Sequence, residues 1–442
     1  MADWLFSMDT FANGSPKGIG LSMWRFNIGA GSAAQGDSSG IRDAWRRAAS
    51  FPVKKGDQRS SELQGQLWFL EAAKKRGVQQ FLGFFNSPPV WLTSNGKAYA
   101  TDGKCNIDSS RYAAFANYAA STIKAVKQTT GVQLNYLSPV NEPQWDWSDG
   151  GQEGCPYTNT QIHGLVKQFN SAFLRNKLNT KLLITESGQL NYLLSRNDKP
   201  GKDRQVYDFF NPVSQLYVGN LPLVAHAIAS HSYFTTSPLA NAVALRNAVR
   251  DSINNYKGLE YWQSEYCILG DNAGEINGNK RDTGMTAALY VAKVIHTDLT
   301  EGNAAAWQWW TAISAYNYKD GLIYIDKNKK DGNYHDSKML WALGNYSRFV
   351  RPGMQRIQAG FPPVKDVYIS GFINDANKQL VWVLVNAGNL EQTVSFANSN
   401  ASHSYKKITF YKTDTDENLG KHATSGRQLT LPAQSVVTVV MQ

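Results

Sequence analysis

Between residues 18 and 310, short runs of apolar, β-type residues alternate with longer stretches whose apolar positions recur every three or four residues. The short runs cover residues 20–28, 80–85, 133–140, 181–185, 225–233, 259–263 and 304–309, and each predicts a strand. The long stretch 109–127 places Tyr112, Phe115, Ala116, Ala119, Ile123 and Val126 on one helical stripe. The same spacing predicts helices over 62–75, 160–176, 239–255 and 283–300. Strand and helix in strict alternation build a parallel sheet covered by helices, and eight such units close a barrel. Seven are present, and the chain opens with an amphipathic helical fragment, Ala2-Asp3-Trp4-Leu5-Phe6-Ser7-Met8, of the kind that would follow a first strand. The expected fold is a (β/α)8 TIM barrel lacking its first strand in this chain. The missing unit would lie upstream of Met1 and leave two open sheet edges.

After a helix predicted over 338–350 the period changes from helical to alternating. Residues 367–372, 380–385, 393–396, 407–411 and 435–441 are short β-rich runs separated by Asn, Asp and Gly turns, which predicts a C-terminal antiparallel β-sandwich side domain. Arg351-Pro352-Gly353 ends the helix, since proline cannot continue it and glycine suits the turn. The expected division is a catalytic barrel over 1–352 and a sandwich over 353–442.

Composition narrows the function. With 42% hydrophobic and 18% charged residues among 442, the chain is a folded globule with a sizeable core. Thirteen Trp and 21 Tyr exceed what packing needs and suit a flat, weakly charged ligand such as a sugar. The formal charge of +10 is spread along the chain, so nucleic acid is not expected as a partner. No apolar run is long enough to span a membrane. No basic-then-apolar leader precedes the first helix. Three cysteines are too few for a disulfide scaffold and lack metal-ligand spacing; Cys105 and Cys155 could form one bridge, leaving Cys267 free. Neither a metal nor a cofactor is expected.

The candidate chemistry centres on two carboxylates. In Ser138-Pro139-Val140-Asn141-Glu142-Pro143-Gln144-Trp145-Asp146-Trp147 an apolar strand stops at an acid flanked by an amide and by indoles. In Glu260-Tyr261-Trp262-Gln263-Ser264-Glu265-Tyr266-Cys267 a second strand does the same. Barrels carry their chemistry at strand carboxyl ends, and a pair of carboxyl groups is what glycosidic cleavage needs. A solvated turn or a surface acid is the bland alternative, weakened by the aromatic surroundings. Tyr233, ending the preceding strand, is placed to donate to Glu265. Arg25 is a charge inside an apolar strand and calls for a carboxylate partner. Trp307, Trp309 and Trp310 crowd the last strand. One of them should floor a sugar site, and Trp309 is taken as that residue although alternation alone does not choose.

Trp24-Arg25-Phe26-Asn27-Ile28-Gly29, Ser87-Pro88-Pro89-Val90-Trp91-Leu92, the Asn141-Glu142-Pro143 corner, His231-Ser232-Tyr233, Ser264-Glu265 and Tyr346-Ser347-Arg348-Phe349-Val350-Arg351-Pro352-Gly353 occur in one order along nearly the whole chain. Together they resemble glycoside hydrolase family 30. The resemblance implies a (β/α) barrel with a side β-sandwich and retaining, cofactor-free hydrolysis of β-glycosidic bonds. It assigns Glu142 as general acid/base and Glu265 as nucleophile, on strands four and seven of a full barrel. Arg25, Asn86, Asn141, Trp145, His231, Tyr233 and Trp309 are then expected to bind substrate. Members acting on terminal glucosyl groups usually carry Trp before the Ser-Pro-Pro corner and Asp shortly after the Arg. Here Asn86 and Gly29-Ala30-Gly31-Ser32 stand there. The segment through Gly151-Gln152-Glu153-Gly154 is more similar to the endo-β-1,6-galactanase-like branch. The implied protein is a secreted or periplasmic monomer that cuts a polysaccharide backbone, most simply β-1,6-galactan. The alternatives are β-1,6-glucan or xylan as substrate, or a carbohydrate-binding barrel made inactive by the absent strand.

Overall fold

The computed structural model describes residues 1–51, 63–195, 198–396, 407–424 and 428–442. Seven parallel strands form one curled sheet in chain order: β1 Met23–Asn27, β2 Gln80–Phe84, β3 Tyr136–Ser138, β4 Lys181–Ser187, β5 Val224–His231, β6 Glu260–Glu265 and β7 Ala306–Trp307. All seven predicted runs contain strands, clearly shorter than predicted at β1, β3 and β7. The helices are α1 Ala2–Phe6, α2 Ser32–Gln35, α3 Gln64–Lys75, α4 Tyr112–Thr130, α5 Asn159–Arg175, α6 Gln205–Phe210, α7 Leu239–Asn254, α8 Met285–Thr300 and α9 Lys338–Ser347. The predicted start of the helix at Glu62 lies outside the described residues. Among the described residues no helix is long and apolar enough to cross a membrane.

Period-two alternation sorts each strand into an outer and an inner set. Outward, Phe26, Phe81, Phe85, Leu137, Leu182, Ile184 and Ile228 join the main core beneath the helices. There the α4 stripe of Phe115, Ala116, Ala119, Ile123 and Val126 is fully buried, each large apolar side chain contributing about 2 kcal/mol. Inward, Leu82, Leu183, Ala225, Ala227 and Trp262 fill the lumen with Met23, Tyr136 and Ala306 at its sides. The alanines of β5 leave room for Trp262, which meets the Tyr136 ring edge-on at 4.8 Å. One layer nearer the carboxyl ends, the inward side chains turn polar.

Two register irregularities shape that layer. β4 slips against β5 between Thr185 and Ser187, and β5 slips against β6 between Ser230 and His231, so that His231 pairs with Glu265. Such bulges re-aim side chains next to active sites. Strict alternation from Leu183 and Trp262 would send Glu186 and Glu265 outward; instead both carboxylates lie against the inward-facing Arg25.

The loop after β7 carries a small sheet of β8 Ile313–Ser314, β9 Ile323–Ile325 and β10 Tyr334–Asp336. Beyond α9 comes a six-stranded antiparallel sheet in the order β11-β12-β13-β18-β15-β16, faced by the pair β14/β17. Its strands are β11 Gln355–Ile357, β12 Val367–Asn374, β13 Gln379–Asn386, β15 Ile408–Thr413, β16 Gly420–Thr424 and β18 Ser435–Met441, with β14 Gln392–Ser395 and β17 Gln428–Leu431 opposite. β13 shows the two faces: Val381, Val383 and Val385 join the main core, while Leu380, Trp382 and Leu384 pack with Val394, Leu429 and Leu431. β11 and β16 escaped prediction because they are short and largely polar, and β17 because its alternation runs over only four residues. Cys105, Cys155 and Cys267 are free thiols; Cys105 Sγ donates to the Ile107 carbonyl and Cys155 Sγ accepts the N–H of Asn106.

The Tyr346–Gly353 motif has a structural task. The Arg348 guanidinium donates to the carbonyls of Ser7 and Gly18, both at 2.9 Å, and of Met8 at 2.6 Å, and Arg351 reaches the carbonyl of Gly20. The segment leading into β1 is thereby fixed to α9. Arg348→Ala strands these carbonyls and is expected to lower unfolding stability by about 3 kcal/mol, measured by thermal or urea denaturation.

Candidate active site

At the carboxyl end of the sheet a single buried network joins seven of the nine residues singled out from sequence. Arg25, from β1, donates to Glu265 Oε2 at 2.5 Å and to Asn141 Oδ1 at 2.8 Å. Asn141 in turn donates to Asn86 Oδ1 at 2.9 Å. Tyr233 Oη donates to Glu265 Oε1 at 3.0 Å. His231 Nδ1 lies 2.9 Å from Glu142 Oε1 and 3.7 Å from Glu265 Oε1. Arg25 is further braced by stacking, its Cζ 3.6 Å from the centre of the Phe84 ring.

Glu142 stands in a left-handed conformation, φ 45°, a strained position for a residue with a long side chain. Its N–H donates to the Glu186 carbonyl and its own carbonyl accepts from Trp147 Nε1 at 3.0 Å, so the corner is held from both sides. Trp145 belongs to this corner; its ring meets Tyr192 and the exposed Phe234 edge-on, at 6.1 and 6.3 Å. Trp309 connects to the network through Tyr266, whose ring packs against Tyr233. Its indole N–H is taken by the Asp320 carbonyl. Trp310 stands over Phe84.

Glu186 was missed from sequence. It is completely buried and ion-pairs with Arg25 at 3.4 Å and with His231 Nε2 at 3.3 Å. It accepts from Ser138 Oγ at 2.6 Å and from Ser264 Oγ. The signal was available, since an apolar run ending in Glu also marks Glu265, but the predicted strand stopped at Thr185.

The electrostatics follow from three carboxylates sharing two cations. Burial opposes ionisation of Glu186, but Arg25, then His231 and Ser138, override it and pull the carboxyl down to about 2. Burial also opposes a charged His231, but the Glu265 charge and the bonds to Glu142 and Glu186 lift it to about 9. Glu142 is raised, first by burial and further by Glu265, with His231 pulling the other way. Tyr233 is raised well above its ordinary value, mainly by burial, and remains a donor. One further proton makes the cluster neutral. Glu142 is the carboxyl raised toward holding it, and its titration is linked to that of the adjoining His231. The oxygens of Glu142 and Glu265 and the His231 nitrogen lie within 4.8 Å of one another, a metal-like spacing. At 2.9 Å, Nδ1 and Oε1 stand at hydrogen-bond distance from each other.

A family model described as O-glycosyl hydrolase family 30 matches residues 1–324. The chain belongs to that family. An endo-β-1,6-galactanase of Hypocrea rufa is 24% identical over 86% of this chain and 72% of its own length. The glucuronoxylanase XynC of Bacillus subtilis is 25% identical over 85% of this chain and 78% of its own length. The crystal structure of a conserved exported protein from Bacteroides fragilis superimposes with a TM-score of 0.89 at 31% identity, covering 99% of this chain and 92% of that one.

This family 30 glycoside hydrolase also ties its loops together from below the surface. Glu153, in the loop after β3, is buried and accepts from the N–H of Ala30 at 2.8 Å and from Ser32 Oγ at 2.6 Å, which fixes the loop after β1 beside the corner of Glu142. Ser32 Oγ accepts in turn from the N–H of Ala48 at 2.9 Å. Gly29 is obligatory here, because a Cβ would sit 2.5 Å from the Ala49 carbonyl oxygen. Burial raises Glu153, its donors only partly offset this, and the carboxyl reaches about 7. A folded pKa above the unfolded value means that the contribution is complete below about 4.5 and is lost as the pH climbs to about 7. That loss amounts to about 3 kcal/mol. The melting temperature of the wild type is therefore expected to fall across this window, and Glu153→Gln should flatten that slope in melts taken at pH 4.5, 5.5 and 7.

Proposed function

We propose that this hydrolase is a retaining endo-β-glycosidase acting outside the cytoplasm on a polysaccharide backbone, with Glu265 as nucleophile and Glu142 as acid and then base. The carrying observation is the unequal treatment of two neighbouring carboxyl groups. Glu265 accepts from the Arg25 guanidinium and from the Tyr233 hydroxyl, while Glu142 is buried and its carboxyl is raised. Their separation of no more than 4.8 Å between ligand-type oxygens suits the spacing of about 5 Å in retaining enzymes and falls short of the 6.5–9.5 Å that inversion needs to admit a water.

In the first step a Glu265 oxygen bonds to the anomeric carbon, the glycosidic C–O bond breaks, and the Glu142 proton passes to the departing oxygen. Esterified Glu265 carries no charge, so one cause of the raised Glu142 disappears and its carboxylate form gains stability. Glu142 then takes a proton from the water that attacks the ester. Arg25 and Tyr233 receive the carboxylate charge again as it returns.

A β-1,6-galactan backbone is the first substrate, supported by the galactanase relative that spans most of the chain. Xylan is the second reading, supported by the glucuronoxylanase relative of similar identity. Export is supported by the likeness to the exported Bacteroides protein. A carbohydrate-binding barrel without turnover would not need two neighbouring carboxyl groups with such unlike partners. The test is a panel of β-1,6-galactan, β-1,6-glucan and xylan, with products sized. Oligosaccharides of mixed length from galactan are expected, and release of single sugars alone would overturn endo action. Glu142→Gln should cost about 10²- to 10⁴-fold in rate and Glu265→Gln should abolish turnover, with the fold intact by circular dichroism. Normal cleavage by Glu265→Gln would remove the assignment.

A further inference from the structure

Glu186 is used by neither chemical step, yet it touches more of the site than either reacting carboxylate. Around it stand Arg25 from β1, Ser138 from β3, His231 from β5 and Ser264 from β6, and its carbonyl receives the N–H of Glu142. The charged and titratable groups facing this cluster are Arg25, Glu142, His231, Tyr233 and Glu265. His231 lies between two acids, Nδ1 against Glu142 and Nε2 against Glu186. We propose that Glu186 is a positioning residue that keeps both nitrogens of His231 protonated and whose buried negative charge keeps a proton on Glu142.

The charge count gives the reason. Without Glu186, the two cations Arg25 and His231 would meet only Glu142 and Glu265, and the site would be neutral with Glu142 already ionised. A third buried negative charge leaves one positive charge lacking, and a proton on Glu142 supplies it. Geometry adds to this. Ser138, Ser264 and Arg25 saturate the Glu186 oxygens, so the side chain has no freedom to turn away, and the Nε2 bond fixes the ring plane that presents Nδ1 to Glu142. The raised His231 and depressed Glu186 carboxyl agree with this arrangement.

The inference rests on the roles proposed for Glu142 and Glu265, but it can be read without turnover. The chain has seven histidines, so imidazole ¹⁵N NMR can follow His231, assigned by its loss in His231→Gln. In the wild type His231 is expected to stay doubly protonated through neutral pH. In Glu186→Gln its titration should move about one pH unit or more toward acid, and in Glu186→Asp less, in the same direction. The alkaline limb of kcat/KM on the polysaccharide should move with it, and Glu186→Asp should recover part of the shift. A neutral His231 at pH 7 in the wild type overturns the proposal even if no variant folds. So does an activity loss in Glu186→Gln with unmoved limbs and an unmoved His231, which is what a merely structural role would give. If Glu265→Gln remained active while Glu186→Gln still shifted His231, the catalytic reading would fall and the proton network would stand.

Discussion

Three carboxylates and two cations buried in the mouth of one curled sheet form the constraint on which the structure turns. No member can be removed from water alone at tolerable cost, so each fixes the place of the next. Arg25 is held over the Phe84 ring while Glu265, Glu186 and Asn141 claim its guanidinium. His231 is held between Glu142 and Glu186. With one negative charge in excess, the cluster favours a further proton, and burial together with the Glu265 charge inclines Glu142 to hold it. Unequal carboxyl groups of this kind are what glycosidic bond cleavage by double displacement needs.

The scaffold accommodates the cluster by departing from its own regularity. The lower lumen is filled by alternating apolar side chains, with alanines on β5 beneath Trp262. At the upper layer the alternation breaks at Glu186 and again between Ser230 and His231, and these slips bring the acids against Arg25. Glu142 reaches the cluster by a left-handed corner instead. Farther out, Glu153 joins the loops after β1 and β3, while Arg348 and Arg351 hold the segment that leads into β1. The charge cluster is therefore surrounded by contacts that restrict movement of its walls.

Much of this was legible in the chain. The seven strand runs, the helical stripes and the change of period after α9 follow from burial, which forces apolar residues into a period of two or 3.6 wherever an element has one covered face. Glu142 and Glu265 were visible because an apolar strand ending in an acid among aromatic rings is a costly pattern without a use. Arg25 was visible for the same reason, and its carboxylate partner could be inferred. Likeness to family 30 motifs then placed these residues in a common site.

What the sequence by itself determined was the alternation of strands and helices, the two carboxylates and the need for a cation between them, because each is written in local pattern and charge. Tertiary structure alone decided that Glu186 joins them, since its side chain turns inward only through a slip in register that strict alternation does not foretell. It also decided that His231 bridges two acids and that Trp310, not a neighbouring tryptophan, stands over Phe84. These facts depend on distances between residues far apart in the chain, and the balance of protons among Glu142, Glu186, Glu265, Arg25 and His231 exists only once all five share one buried volume.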